Sequence, residues 1–269
     1  MVAESSSTER SSDDLLALLG QRHDLLSALS NAPAERPELV ETVDSSQATV
    51  YRAMKELTEA GIVTHGDDGY RLTTWGETVL GAYEAITAQV ERLQQAQRMC
   101  NSLPGEATLP AALFRDATVV TADGPNPHAP GSRLGDLLLE SDRIRALVKA
   151  HTQENAAEVL HRAIVDRETP TEFVCEDAFY DYLNQADDPT IERVMRDDRL
   201  TTFAVESVPF GLFLLDRADD PDLVTVVAYD DDGLLTGTVV TSAPDARDWG
   251  AGIYEHYKTR AKAPEADAD

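Results

Sequence analysis

Short apolar stretches follow a polar beginning in the first third of the chain. After residues 1–14, which are rich in Ser, Asp and Glu, leucines recur at helical spacing over residues 15–19 and again over 22–30. Pro37 then suits the first turn of another helix, whose apolar positions are 39, 40 and 43. The pattern predicts a polar, mobile tail followed by short helices separated by turns.

A third helical stretch and two strands come next. Ser46 is a good N-cap for a helix over residues 47–60, and Gly61 suits the position that ends it. Its buried stripe is predicted at Val50, Met54 and Leu57. Strands are predicted at 62–65 and 70–72, joined by a turn. Three short helices, a tight turn before the third and a hairpin predict a winged helix-turn-helix.

A longer helix is predicted from residue 74 to about residue 101, because this stretch contains no proline and its glycines lie near its start. A heptad seam alternates spacings of four and three along it: Val79, Tyr83, Ile86, Val90, Leu93, Gln97 and Cys100. The seam favours a dimerisation helix. The alternative is a helix that packs only against its own C-terminal domain.

Strand and helix patterns alternate in the remainder of the chain. Strands are predicted at 117–122, 171–175, 200–205, 211–215, 224–229 and 235–240. Helices are predicted at 133–149, 154–166, 177–184, 189–196 and 246–261, and a rigid loop at 124–131. The whole chain is therefore predicted to be α+β, with a mixed α/β domain at its C-terminal end.

Charge changes the picture of the protein's surroundings. The chain has 49 acidic and 23 basic residues, only four of them lysine, for a net charge of −26. Acidity spread along the chain favours a halophile's cytoplasmic protein, the alternative being an ordinary acidic protein. No apolar run is long enough for a membrane span, the polar residues 1–14 are not expected to act as a secretory signal, and two cysteines exclude a disulfide scaffold and a structural zinc site.

Such a charge argues against nucleic-acid binding unless the local arrangement overturns it. Residues 20–90 hold five basic and eleven acidic residues. The outward face of the third helix nevertheless carries Gln47 and Arg52, which suit adenine and guanine respectively. Hydroxyls at the helix start suit phosphates, and the wing adds an arginine. The predicted DNA-binding residues are Ser46, Gln47, Thr49, Tyr51, Arg52, Lys55 and Arg71.

These motifs resemble a known family. Residues 46–57, 61–63 and 69–73, with Gly76, resemble the winged-helix domain of archaeal transcription regulators, particularly those common in haloarchaea. Residues 208–212 and 229–237, with Trp249 and Tyr254, resemble the FilR1-type, or methanogenesis-regulator, domain, while residues 107–161 match weakly. The resemblance implies a regulator that responds to a small effector, without naming it.

The resemblance completes the predicted organisation. The predicted domains are a mobile tail over 1–14, a winged helix-turn-helix over 15–74, a connecting or dimerisation helix over 75–104, an effector-sensing α/β domain over 105–262, and an acidic tail over 263–269.

The chemistry expected of the C-terminal domain is binding rather than catalysis. His256 and Lys258 begin a phospholipase-D-like pattern, but Ala263 stands where that pattern needs Asp. No nucleophile elbow, phosphate loop or metal motif is found, so no catalytic residue, metal or cofactor is predicted. An anionic metabolite is predicted at strand ends. The residues predicted to contact it are Arg143, Arg145, His151 and Phe210. The alternative is that these residues only carry surface charge or pack in the core.

The sequence thus predicts a dimeric, cytoplasmic transcription regulator that binds a specific double-stranded DNA sequence. One alternative is a winged-helix module that binds protein. Another is an enzyme that acts on a small molecule through its C-terminal domain.

Overall fold

A computed structural model describes residues 10–122, 125–149, 155–230 and 233–261. The chain divides into two compact units, Met1–Ala88 and Gln89–Asp269. Each unit has its own hydrophobic core.

The described part of the first unit contains four helices and the predicted hairpin, one helix more than predicted, because the leucine stretches over residues 15–19 and 22–30 form two separate helices. Its elements are α1 (Ser12–Gln21), α2 (His23–Asn31), α3 (Arg36–Thr42), α4 (Gln47–Glu59), β1 (Val63–Gly66) and β2 (Gly69–Leu72), followed by the start of α5 (Thr74–Gln95). Val50, Met54 and Leu57 are at most 1% exposed, so the predicted stripe of α4 is confirmed. The Ser46 hydroxyl accepts the Thr49 N–H at 3.2 Å, and Gly61 has a φ of 70°. These contacts begin and end α4 where the sequence predicts.

The wing contains a short additional pairing. Ala34 and Tyr70 exchange two backbone hydrogen bonds, of 3.0 and 2.9 Å, which join the segment before α3 to β2. The sequence does not predict this pairing, because a single bridging residue has no periodicity of its own. This pairing fixes the wing beside the start of α3.

The long helix is interrupted near its end. α5 stops at Gln95, and a five-residue helix, α6 (Gln97–Asn101), follows Ala96. Ala96 is fully buried and has a ψ of 0°, away from the helical value near −42°. The prediction of one helix to about residue 101 is therefore wrong at this point. Ala96 and Met99 are buried in the core of the second unit, and this burial holds the chain in place where the helix is interrupted.

The seam positions fall into three environments. The first two belong to the core of the first unit, whereas Leu93 and Cys100 pack against the core of the second. Ile86 and Val90, which lie between them, are 53% and 45% exposed. Only this middle part of the seam presents an apolar surface to solvent.

The second unit is built on a seven-stranded mixed sheet. Its strands are β3 (Thr118–Thr121), β4 (Arg143–Val148), β5 (Thr171–Glu176), β6 (Leu200–Val205), β7 (Gly211–Asp216), β8 (Leu223–Tyr229) and β9 (Leu235–Thr241). They lie in the order β3-β9-β8-β7-β4-β5-β6. β4, β5 and β6 run parallel, and every other neighbouring pair is antiparallel.

Helices cover both faces of this sheet. One face packs against α7 (Ala129–Leu139), α8 (Ala156–His161), α9 (Asp177–Gln185) and α10 (Pro189–Met195). The other face packs against α6, a 3-10 turn (Ala111–Phe114) and α11 (Pro244–Lys258). The strands alternate between the two faces, so Ile144 and Ala146 contribute to one core and Leu147 to the other.

One predicted helix of this unit is wrong. Residues 133–149 form the end of α7 and then β4. α7 begins at Ala129, inside the predicted loop over 124–131, of which residue 124 lies outside the described residues. β4 lies between β5 and β7 and is hydrogen-bonded on both sides. This pairing with residues distant in sequence outweighs the local helical spacing of Ile144, Leu147 and Val148.

Candidate nucleic-acid interface

The outward face of α4 carries the residues predicted to contact DNA. Tyr51 is 53% exposed, and Gln47, Arg52 and Lys55 are exposed beside it. Ser46 and Thr49 are exposed at the start of α4, where their hydroxyls lie 2.8 Å apart. This end of the helix offers N–H groups and a partial positive charge to an anion. Six of the seven predicted residues therefore share one surface.

Arg36 belongs to the same surface, although the sequence pattern does not predict it. Its guanidinium lies 5.1 Å from the ring centre of Tyr51 and donates a 2.6 Å hydrogen bond to the Tyr70 hydroxyl. That hydrogen bond, followed by the charge interaction with Tyr70, raises the Arg36 pKa. Arg36 thus links the start of α3, the face of α4 and the wing. This role of Arg36 becomes apparent only when α3, α4 and the wing are brought together in the fold.

The wing presents the seventh predicted residue, Arg71, to solvent on β2. Gly69 has a φ of 100°, and a Cβ there would lie 2.7 Å from the Ala34 carbonyl oxygen. Both the backbone angle and the close approach therefore require glycine at this position. His65 on β1 packs edge-on against Tyr70 at 4.6 Å and lies 3.9 Å from Glu35.

Cations on this surface differ in how far acidic side chains neutralise them. On the surface, Lys55 lies 3.7 Å from Glu59. Arg22, which lies outside this surface, is paired with Glu56 at 3.1 Å. Within the described residues, Arg52 and Arg71 form no ion pair. An open groove lies between α3 and α4, and Arg36, Pro37 and Gln47 are among the residues that line it. The arrangement is a narrow cationic and aromatic strip in an acidic unit.

The predicted anion-binding residues of the second unit do not all lie together. Arg143 and Arg145 occupy the same face of β4, the first exposed and the second half-buried. Arg145 lies 3.7 Å from Asp216, which also accepts a 2.7 Å hydrogen bond from Arg247. Phe210 is 2% exposed and packs against Trp249 at 5.9 Å between ring centres. His151 lies outside the described residues.

A carboxylate network that the sequence did not reveal occupies this face of the sheet. Glu172 on β5 accepts hydrogen bonds from the Tyr254 hydroxyl and, at 2.8 Å, from Lys258 on α11. Burial opposes ionisation of Glu172, but the hydrogen bonds from Lys258 and Tyr254 outweigh it and lower its pKa. The same burial, with the nearby carboxylate, raises the pKa of Tyr254. Lys258 is therefore committed to an internal ion pair, and His256 lies 3.1 Å from Arg260.

The described residues contain neither a metal-binding cluster nor a membrane-spanning helix. No group of three His, Cys, Asp or Glu side chains in this part of the chain is arranged to hold a metal ion. No helix among these residues is long and apolar enough to cross a membrane.

Two family descriptions match the chain. Residues 127–260 match the middle domain of the methanogenesis regulatory protein FilR1, and residues 10–95 match the N-terminal domain of HVO_A0261. A search of curated proteins finds no match.

Solved structures with related architecture are distant in sequence. TrmBL2, an archaeal chromatin protein, is 16% identical, with 94% of this chain and 100% of that chain covered and a TM-score of 0.41. Polyphosphate kinase from Porphyromonas gingivalis is 11% identical, with coverages of 64% and 27% and a TM-score of 0.39. A putative O-methyltransferase from Nostoc punctiforme is 11% identical, with coverages of 72% and 62% and a TM-score of 0.26.

Proposed function

Because the chain belongs to the family of archaeal regulatory proteins that carry the FilR1 middle domain, here preceded by an HVO_A0261-type N-terminal domain, we propose that it is a sequence-specific DNA-binding transcription regulator. The observation that carries this proposal is the exposed face of α4, where Gln47, Tyr51 and Arg52 stand on a helix packed as in a winged helix-turn-helix. Recognition helices of this class read base edges in the major groove from such a face.

The residues divide into base-reading and backbone-binding groups. Gln47 and Arg52 carry side chains that form bidentate contacts with adenine and guanine. Ser46 and Thr49, with the N–H groups at the start of α4, suit a phosphate, and Arg71 on the wing suits the backbone or the minor groove. Arg36 is added as a phosphate contact that also positions Tyr51, since its guanidinium lies over that ring.

A protein-binding role for the winged domain is the second candidate. Winged-helix surfaces that bind protein need an apolar centre, because charged groups are depleted at the centre of protein interfaces. Tyr51 is the one large exposed apolar side chain on the α4 face in the described structure, and cations surround it. This composition favours a polyanion over a protein partner.

The proposal extends to dimerisation and effector control. The exposed Ile86 and Val90 on α5 fit a helix that pairs with its copy, which would present two winged domains to a two-fold related DNA site. An anionic metabolite at the exposed Arg143 and the half-buried Arg145 remains part of this proposal. The diffuse acidity fits a haloarchaeal cytoplasm of high salt.

Genomic-fragment capture tests the function. Wild type is compared, at about 2 M KCl to screen its charge, with Arg52→Ala/Lys55→Ala. The matched control is Arg193→Ala/Arg196→Ala, which removes two exposed cations around the end of α10. We expect wild type and the control to enrich fragments that share an inverted repeat, and the α4 variant to lose them. Equal enrichment by all three proteins would contradict a role for α4, and no enrichment with or without metabolite extract would favour the protein-binding alternative.

A further inference from the structure

An apolar cavity lies in the second unit, on the face of the sheet opposite Arg143 and Arg145. It lies between the strands and helices α7 to α10, is partly open to solvent, and measures about 80 Å³. Six of the side chains that line it are Leu138, Val148, Val159, Phe173, Phe179 and Phe213. All six are buried, so the inner wall of the cavity belongs to the packed layer between sheet and helices.

Protein interiors seldom leave such a volume unfilled. A cavity lined by Leu, Val and Phe side chains offers water no hydrogen-bond partners, and such cavities stay dry and take up small apolar molecules. Tyr229 is the one polar side chain among the described residues that line the space. Burial, and secondarily the charge of Glu176, raise its pKa, so it stays uncharged. The lining therefore selects against a charged guest.

Gly135 on α7 keeps the cavity large without a local need for glycine. A Cβ at this position would lie 3.5 Å from Val159 Cγ2, an ordinary contact, so packing does not exclude alanine. Its backbone φ is not in the left-handed region either. Glycine inside a helix weakens it relative to alanine. The result of this choice is extra space beside Val159.

The outer wall offers a route into the cavity. Leu134 on α7 and Ala157 and Leu160 on α8 line it and are only half-buried. α8 passes directly into a π-helical turn, Arg162–Asp166, a feature that often accompanies functional sites. A guest entering between α7 and α8 would contact the same helices that enclose the space.

We propose that this cavity binds a small, uncharged apolar ligand, of the size of a short branched alkyl group or a single ring. Its role as an effector site rests on the proposed regulatory function, but its existence as a binding site does not. It is distinct from the anion site proposed at Arg143 and Arg145, because it lies on the other face of the sheet.

The test uses the full chain without DNA and benzene as the probe. Benzene is titrated while the methyl signals of the protein and its thermal unfolding are followed, with benzoate as the charged comparison. We expect saturable shifts of the methyl groups of Leu138 and Val159 and a rise in Tm with benzene, and neither with benzoate. Unsaturated partitioning of benzene, or shifts spread evenly over the molecule, would overturn the proposal.

Filling the cavity provides the second arm. Gly135→Ala/Ala157→Leu adds four carbon atoms at the wall and is expected to weaken benzene binding on the order of tenfold or more. Gly252→Ala, in the exposed part of α11 where a Cβ meets nothing within 4 Å, is the matched control and should bind like wild type. Unchanged binding in the filled variant would place benzene elsewhere and overturn the assignment. DNA affinity is then measured separately with and without benzene, so that failure of DNA binding is distinguished from failure of the site.

Discussion

Glu172 illustrates, at the scale of a single residue, how an acidic chain keeps a carboxylate inside its sheet. The side chain is 20% exposed, and Lys258 and the Tyr254 hydroxyl both donate to it. Burial alone would raise the pKa of this group, whereas the two donors hold it below the ordinary value. The lowered pKa means that Glu172 stabilises the fold at neutral pH, and that this contribution is lost as pH falls through the folded-state pKa.

Lys258→Met should therefore destabilise the protein in a pH-dependent way. Burial of Glu172 then lacks its strongest opposing donor, so its pKa should rise. We expect a loss of about 1–3 kcal/mol in the free energy of unfolding at neutral pH, and a smaller loss at acidic pH where Glu172 is protonated. Denaturant titrations across that pH range measure it. Arg196→Met, which removes a cation that is 79% exposed, is the control, and an equal loss at every pH would contradict the explanation.

Gly76 shows, at the scale of an element, why α5 can start beside the wing. A Cβ at this position would lie 2.0 Å from the Ile62 carbonyl oxygen, a backbone atom that cannot move aside. Thr73 donates its hydroxyl to Gly61 and accepts the Gly76 N–H at 2.9 Å. The first turn of α5 is thus held against the end of α4, and glycine is the residue that permits the approach.

Replacing this glycine should cost stability in the winged domain. Gly76→Ala is expected to lower the free energy of unfolding of the first unit by about 2 kcal/mol or more, since helix and backbone must separate. Gly81→Ala lies on the same helix with nothing within 4 Å, and should instead stabilise it by about 0.5–1 kcal/mol. Hydrogen exchange in the first unit separates the two effects. Equal stabilisation by both substitutions would refute the close contact.

Elements with local signals could be predicted from the sequence, and elements defined by distant partners could not. α4 was recognisable from its cap at Ser46, its stripe and its terminal glycine, and its exposed side chains followed from that periodicity. β4 was misread because its pairing partners lie far away in the chain. The bend at Ala96 and the position of Arg36 had the same cause, since each depends on which elements pack together.

The α4 surface itself was largely predictable, because six of its seven residues lie on or beside one helix. The carboxylate network and the apolar cavity were not, since they arise only when β5 meets α11 and when α7 meets α8. Sequence periodicity marks a residue as inward or outward, but not the partner that it meets.

The whole molecule carries a charge of −26, and this sets the expected salt dependence of DNA binding. On the proposed function, only a few cations would contact phosphates, and acidic groups elsewhere in the unit would take up counterions as DNA approaches. We therefore predict that affinity for the enriched fragment falls weakly with KCl, or rises, between moderate and molar salt. Fluorescence anisotropy over that range measures it. A steep fall, as for basic DNA-binding domains, would contradict this prediction.

Dimerisation also belongs to this scale. Ile86→Glu/Val90→Glu places charges on the exposed middle of the α5 seam and is expected to convert a dimer into monomers. Analytical ultracentrifugation at high salt measures the change. Leu16→Glu, at a leucine that is 43% exposed on α1, is the control and should leave the mass unchanged. A dimer that survives the double substitution would show that this part of α5 is not its interface.

The most direct test of the account is the discrimination between the enriched fragment and a scrambled fragment of equal length. Affinities of wild type, Gln47→Ala, Arg52→Ala and the control Arg193→Ala are compared for both fragments. The account predicts that each α4 substitution removes about 1–3 kcal/mol of discrimination, and that Arg193→Ala removes none. If Gln47→Ala and Arg52→Ala both retain wild-type discrimination, the face of α4 does not read DNA, and the central claim is wrong.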